Sequence, residues 1–384
     1  MRSRFLAAAL VAAVAIASCS SDDDTSTDAT DTADDSSTTV GADEALAVVA
    51  GEAFPADRCA ANEDAGTITF LTGFDYAAAS SIVDVIVAED AGYYDELCLD
   101  VEIRPGFSSS NYPLIASGTA QFASGGSFSE IVAFSAANDA QFVATTVEGR
   151  SAIDTLIVKS GETNGLADLD GTQIGVKGKL PPSIEVMLRG DGLVEGENFE
   201  TLLLDGFDPL AHIEIEQIVG FPGWKSNEVG ALERAGVGIQ LFDPLDFGVP
   251  GSFGVIFTSA EFAAEHPTAA QDFVRATMRG LDDAVNDPEA AATTAVDLIV
   301  ANGNPSFLSP EGEVFRWETE AALILDGTPE GMGLGMPDVA ALQAELDAYS
   351  AVDLFGDTTP VAADFVVDLA AGVYDDSAMV IWPA

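Results

Sequence analysis

Basic residues are scarce in this sequence: ten Arg and four Lys among 384 residues stand against 64 Asp and Glu, leaving a formal net charge of -50. Nucleic-acid binding needs a cationic face that displaces counterions from phosphates, and so few cations spread along the chain do not build one. An anionic bilayer surface is excluded as a partner on the same ground. Histidine is scarcer still, with only His212 and His266, and His266 precedes Pro267 at an expected helix start. The chain lacks a Gly-x-Ser-x-Gly elbow, a His-x-x-x-His pair and a phosphate loop, and 171–179 fails the P-loop spacing. No catalytic residue, metal ligand or cofactor is therefore expected. The apolar run 5–17 is too short to span a membrane as a mature helix.

What is present is a globular composition. Hydrophobic content of 48% with 36 Gly and 17 Pro fits two domains with substantial cores. The acid excess keeps a protein hydrated and reads as solubility in a saline exterior. Arg2 and Arg4 precede the apolar run 5–17, which closes with Ile16, Ala17, Ser18 and Cys19. That is a secretory signal, and its end resembles the lipobox of bacterial lipoproteins, which implies that Cys19 becomes a lipidated N-terminus. Residues 20–55 are mostly Asp, Ser, Thr, Ala and Gly, with no aromatic before Phe54, and read as a disordered acidic tether. Such a chain reaches about 30 to 35 Å, further where its aspartates repel. The expected location is the outer face of the cell membrane, held by lipid. Of the remaining cysteines, Cys59 lies shortly before a strand at 67–71 and Cys98 directly before one at 99–103. If those strands are parallel neighbours, both thiols lie at one end of the sheet, where a disulfide forms in an oxidising exterior; two free buried thiols are the alternative.

Beyond residue 60, short apolar strands alternate with helical stretches, the pattern of an α/β protein with doubly wound, mostly parallel sheets. Strands are expected at 67–71, 99–103, 120–123 and 142–147, with helices at 77–90, 112–116 and 128–136. The pattern restarts after Gly149 with strands at 155–158, 173–176, 201–204 and 238–242 and helices at 183–189 and 227–235. After Gly248 come a strand at 255–258 and helices at 267–286, 288–301, 312–325, 338–348 and 361–371.

In open parallel sheets ligands bind beyond the carboxyl ends of the strands. Four such loops combine glycines, hydroxyls and aromatics: 72–76, 106–112, 124–129 and 220–228. They supply the candidate ligand-binding residues Phe74, Asp75, Tyr76, Ser108, Ser109, Asn111, Ser127, Phe128, Trp224, Asn227 and Glu228, with Phe247 from a later turn. Glycine admits backbone N–H groups to a ligand, and aromatic rings provide stacking faces.

The stretch from Ala88 through Gly92, Tyr93 and Tyr94 to Leu99-Asp100-Val101-Glu102 resembles a pattern of ABC-importer substrate-binding lipoproteins. So do Ile115–Ala123, with Gln121 where that group commonly has Asp, and Leu166–Val176. Phe262, His266-Pro267, Phe273 and Ala276 are similar to its late segment. The group binds nitrate, sulfonates, taurine and the aminopyrimidine precursor of thiamine, and the likeness covers 66–300. Trp224–Glu228 and the turn at 242–250 look most like the thiamine-pyrimidine branch. The resemblance implies a two-lobe periplasmic-binding-protein-like fold of type II, with 56–150 plus 249–384 as one lobe and 151–248 as the other. It implies a monomer that closes on a small flat heterocycle and delivers it to an ABC permease with its ATPase. An aminopyrimidine suits Trp or Phe stacking plus a carboxylate, for which Glu228 and Asp75 are the candidates. Two other ligand classes stand beside it: a sulfonate- or nitrate-type anion near Lys177, Lys179 or Lys225, and a flavin stacked on Phe74 and Trp224. An enzyme akin to the fungal pyrimidine synthases of the same fold is disfavoured, since those need a cysteine-rich segment and only Cys59 and Cys98 would remain in the mature body.

Overall fold

The computed structural model describes residues 46–206, 208–303, 309–369 and 372–384. The expected signal segment with Cys19, and the tether as far as residue 45, lie outside the described residues. Among the described residues ten strands form: β1 Thr67–Leu71, β2 Asp100–Arg104, β3 Phe122–Gly125, β4 Phe142–Gly149, β5 Asp154–Lys159, β6 Gln173–Val176, β7 Glu200–Leu203, β8 Gly220–Trp224, β9 Ile239–Phe242 and β10 Phe253–Ser259. They assemble as two five-stranded sheets, ordered β2-β1-β3-β10-β4 and β7-β6-β8-β5-β9.

Each sheet has four strands in one direction and one reversed. The reversed strand is the first to arrive after the chain passes between sheets: β5 after β4, and β10 after β9. This is the mostly parallel α/β architecture legible in the alternating pattern. The crossing from β4 to β5 needs glycine at Gly149, where an added Cβ would sit 1.9 Å from the Phe253 ring.

β8 is the strand that local pattern misses, because Gly-Phe-Pro-Gly-Trp reads as a turn. It survives as a strand because β5 pairs along it from Val158↔Gly220 to Asp154↔Trp224, while β6 meets it only at Ile174↔Gly220. Pro222 therefore lies where one flank of β8 is unpaired, the setting in which a strand tolerates proline. Gly220 is required by contact, since a Cβ there would lie 2.1 Å from the Ile157 carbonyl oxygen.

The helix expected at 77–90 forms only over Val83–Asp90. Before it the chain makes turns, with Ser81 in the left-handed region at φ 57°. Carboxylates from distant segments take the N–H groups there: Ala78 donates to Glu313 at 2.8 Å, Ser80 to Glu320 at 2.6 Å and Ser81 to Glu148 at 2.8 Å. At the other end of the chain, the helix expected at 361–371 is a single turn, Ala362–Phe365, after which Val366 bridges to Ala144.

Apolar clusters cover both sheets. Phe70, Phe122 and Phe273 stack under the first, with Phe122 and Phe273 centroids 4.0 Å apart. Leu156, Ile174 and Leu188 pack under the second. The long C-terminal segment serves both: in Val339–Ser350, Leu342 and Leu346 join the first sheet's cluster while Tyr349 joins the second's. Residues 46–55, the last part of the expected tether, lie against the body. Arg58 Nη1 donates to the Leu46 carbonyl at 2.9 Å, Gly51 N–H to Trp382 at 2.9 Å, and Ala384 N–H to Glu52 at 2.7 Å. Cys59 and Cys98 are joined in a disulfide with Cα atoms 5.3 Å apart, next to the parallel β1–β2 pair. No helix among the described residues is long and apolar enough to cross a membrane.

Candidate functional site

The loops after β1, β2 and β3 and those after β6, β8 and β9 leave the carboxyl ends of parallel strands, where such sheets bind ligands. The helix Pro310–Gly327 places two of them on one side of the molecule. It contacts the turn after β1 through Glu313 and Glu320, and the turn after β8 through Arg316, whose Nη2 donates to Asn227 Oδ1 at 2.9 Å.

On the first sheet, Phe74 and Phe107 form an exposed edge-to-face pair with centroids 5.6 Å apart. Asp75 holds a left-handed conformation at φ 47°, and its N–H donates to the Gly106 carbonyl at 3.1 Å, tying the β1 and β2 loops together. Tyr76 is buried; burial, with Asp75 and Glu102 nearby, raises its hydroxyl pKa. Ser108 N–H donates to the Gly73 carbonyl at 3.0 Å, and Ser109 is exposed. Asn111 is buried and spends its amide on the Thr72 carbonyl at 2.8 Å, so it braces the β1 loop from behind.

Ser127 caps the helix Phe128–Asn138 in a capping box with Glu130. Phe128 is the clear correction among the expected site residues. Its side chain is wholly buried in the cluster with Phe142 and Phe257. The first helical position points back into the sheet here, and the Phe128 N–H is buried too, donating to Ser252 Oγ at 2.8 Å.

On the second sheet, Trp224 is 40% exposed at the end of β8 and Phe247 is 46% exposed in the turn Pro244–Phe247. The five residues Lys225–Val229 form a single π turn, a geometry frequent at functional sites. It carries Asn227 outward and turns Glu228 inward to 7% exposure. Glu228 accepts from Trp224 N–H at 2.9 Å and from Lys177 Nζ at 2.8 Å. Lys225 pairs with Asp243 at 2.7 Å. Lys179 is exposed, and its charge acts on Glu130 across from it.

Asp154, one residue before the strand expected at 155–158, stands opposite Trp224 in the β5–β8 register. Burial, reinforced by Glu130 and Glu228, raises its carboxyl to about 7, with the Ser183 hydroxyl and Lys225 pulling it back. A carboxyl so placed offers either a donor or an acceptor near neutral pH. Burial together with acidic neighbours from distant segments produces that property, and no local motif signals it. Among the described residues, no group of three or more His, Cys, Asp or Glu could hold a metal ion.

Several donors that could meet an anion are engaged within the protein. Besides the three N–H groups held by Glu313, Glu320 and Glu148, Ser129 N–H donates to Glu345 at 3.1 Å. All four glutamates lie in distant parts of the chain and do not stand out in the sequence.

Two mostly parallel sheets, each with one reversed strand contributed by a crossing, define the periplasmic binding protein fold. The chain belongs to the NMT1/THI5 like family, whose model matches residues 79–291, more than half of its length. A curated relative, the formylaminopyrimidine-binding protein of Halalkalibacterium halodurans, is 27% identical over 241 residues, covering 60% of this chain and 71% of the relative. The alkanesulfonate-binding protein SsuA of Xanthomonas axonopodis pv. citri, solved with MOPS bound, superposes with a TM-score of 0.56 at 16% identity, over 78% of this chain and 98% of that one. A Candida albicans protein described as having the generic periplasmic binding protein fold superposes at 0.55 with 14% identity, over 78% of this chain and 96% of its own. At such identities the structural likeness speaks to the fold alone.

Proposed function

We propose that the protein is the extracytoplasmic binding component of an ABC importer, tethered by a lipid on Cys19, and that it captures a small flat heterocycle of the aminopyrimidine type. In this reading, 56–150 with 249–384 and 151–248 are two lobes hinged at the crossings. The observation that carries the ligand class is the engagement of the backbone donors after β1 and β3 by Glu313, Glu320, Glu148 and Glu345. An anion would need those donors, and two of the three nearby lysines are already paired with Glu228 and Asp243. The exposed aromatics Phe74, Phe107, Trp224 and Phe247 suit a flat ring. Lys177 beside Glu228 offers a donor next to an acceptor, matching a ring that carries an amine next to a ring nitrogen. The family membership and the formylaminopyrimidine-binding relative support the same class.

A thermal-shift screen of the chain with aminopyrimidines, thiamine, flavins, taurine, alkyl sulfonates and nitrate tests the reading. Ligand at 100 times its dissociation constant stabilises by about 2.7 kcal/mol. A shift with aminopyrimidines and none with the anions is expected. A shift with the anions alone would overturn the ligand class.

A further inference from the structure

Glu320 meets loops of both sheets. It is 1% exposed on the helix Pro310–Gly327, and its two oxygens face loops of different sheets. Oε2 accepts from Ser80 N–H at 2.6 Å, in the turn that follows Phe74, Asp75 and Tyr76. Oε1 accepts from Ser226 Oγ at 2.6 Å, in the π turn between Trp224 and Glu228. Ser226 is itself 1% exposed.

The helix bearing Glu320 is rooted under the first sheet. Trp317 Nε1 donates to the Ala284 carbonyl at 2.8 Å, and Trp317, Ala321 and Ile324 lie in that sheet's core. The Ser80 side of the link is braced further: Ser81 Oγ and Ser124 Oγ are 2.7 Å apart, which ties the turn to β3. The Ser226 bond is therefore a buried polar link from the first sheet's framework to the aromatic loop of the second. A second link, Arg316 to Asn227, lies at the exposed rim, where water competes for it.

We infer that Glu320 is a positioning residue that couples the two ligand-bearing loops, holding the Phe74–Tyr76 loop and the Trp224–Glu228 turn in one arrangement through Ser80 and Ser226. The inference rests on the two-lobe binding reading for its functional meaning, and on geometry alone for its mechanical one. A carboxylate buried without a lysine or arginine hydrogen-bonded to it requires its donors. Opening the lobes removes Ser226 and leaves Oε1 unsatisfied unless water enters. Bonds of this charge-assisted kind are among the stronger ones a chain can place. Closure is thus favoured by the protein itself, and the ligand adds to a link that is already built.

The test uses the full chain carrying Ser226→Ala, Glu320→Ala or Glu320→Gln, with a hydroxymethyl aminopyrimidine as the probe. Small-angle scattering of the ligand-free protein is expected to show a larger radius of gyration for Ser226→Ala and Glu320→Ala. Glu320→Gln keeps an acceptor for Ser80 and a partner for Ser226, and is expected to retain the wild-type radius. Stopped-flow measurements are expected to show the probe leaving Ser226→Ala about tenfold faster, a common size for coupling between sites. Ser226→Ala removes one hydroxyl only, so it remains informative if Glu320→Ala fails to fold. An unchanged radius and an unchanged dissociation rate in folded Ser226→Ala would overturn the inference, as would a drop in melting temperature with neither effect. If the wild-type chain does not bind the probe, the ligand reading fails, while scattering still decides the link.

Discussion

Lys177 Nζ lies 2.8 Å from Glu228 Oε1, so the carboxylate best placed to meet a ligand in the second sheet is already ion-paired. Its second oxygen is held by the Trp224 N–H. The pair joins the loop after β6 to the π turn after β8 and fixes where the acceptor points. Each oxygen keeps a free lone-pair direction, so a ligand amine adds to the arrangement without displacing the lysine. Removing the charge should therefore weaken binding through two losses at once. Glu228→Gln is expected to lower aminopyrimidine affinity roughly ten- to hundredfold, the scale of a hydrogen bond to a charged group. Lys177→Met should weaken it less, because the Trp224 N–H still orients the carboxylate. Isothermal titration of both variants checks the order.

Trp224 is the exposed aromatic next to that pair, at 40% exposure, and it belongs to none of the buried clusters. Trp224→Ala should reduce ligand affinity at least tenfold without loss of folding, since the ring is absent from every buried core cluster. An unaltered dissociation constant would remove Trp224 from the ligand contacts.

Phe128 should behave in the opposite way. It is fully buried among Phe142, Phe257 and Ile131, so Phe128→Ala should cost about 3–5 kcal/mol of stability. Chemical denaturation of this variant beside Phe107→Ala, whose ring is 57% exposed, separates core from wall.

Asp84 and Glu148 are both wholly buried and face one another, and neither Asp84 oxygen has a donor among the described protein groups. Burial pushes the Asp84 carboxyl to about 7, and burial together with Asp84 pushes Glu148 upward as well. Both groups ionise near pH 4 when unfolded, so the folded state binds more protons above that pH. The stabilisation is complete below the unfolded value and is lost as pH rises through about 7. Stability should fall across this window by up to about 1.4 kcal/mol per pH unit for each retained proton. Asp84→Asn should flatten the fall, and melting curves from pH 4 to 8 would show it. An equal slope in both proteins would show that the pair does not hold the proton.

The disulfide between Cys59 and Cys98 closes a loop of 39 residues around β1. The chain-entropy account assigns such a loop about 4 kcal/mol. Reduction, or Cys59→Ser with Cys98→Ser, is expected to lower the denaturation midpoint accordingly while leaving ligand affinity of the folded protein unchanged, since both residues lie at the amino ends of β1 and β2, away from the loops.

Local pattern by itself determined most of the two-sheet framework. Apolar runs such as 67–71 and 173–176 match β1 and β6 because a strand is specified by its own neighbours along the chain. Prolines at 267 and 288 start helices for an equally local reason. The loops worth reading at the strand ends were legible from their glycines, hydroxyls and aromatics. Their internal arrangement was not. Whether Phe128 faces a ligand or the core depends on how its helix lies against β4 and β10. Whether Gly220–Trp224 is a loop or a strand depends on β5, more than sixty residues earlier. The pairing of Glu228 with Lys177 spans 51 residues, the Ser226–Glu320 link spans 94, and the Ser80–Glu320 bond spans 240. These are choices among partners that a sequence offers in quantity, with 64 acidic side chains available. Only packing in three dimensions selects among them, because a buried carboxyl must either gather donors, as Glu320 does, or hold its proton, as Asp84 does near neutral pH.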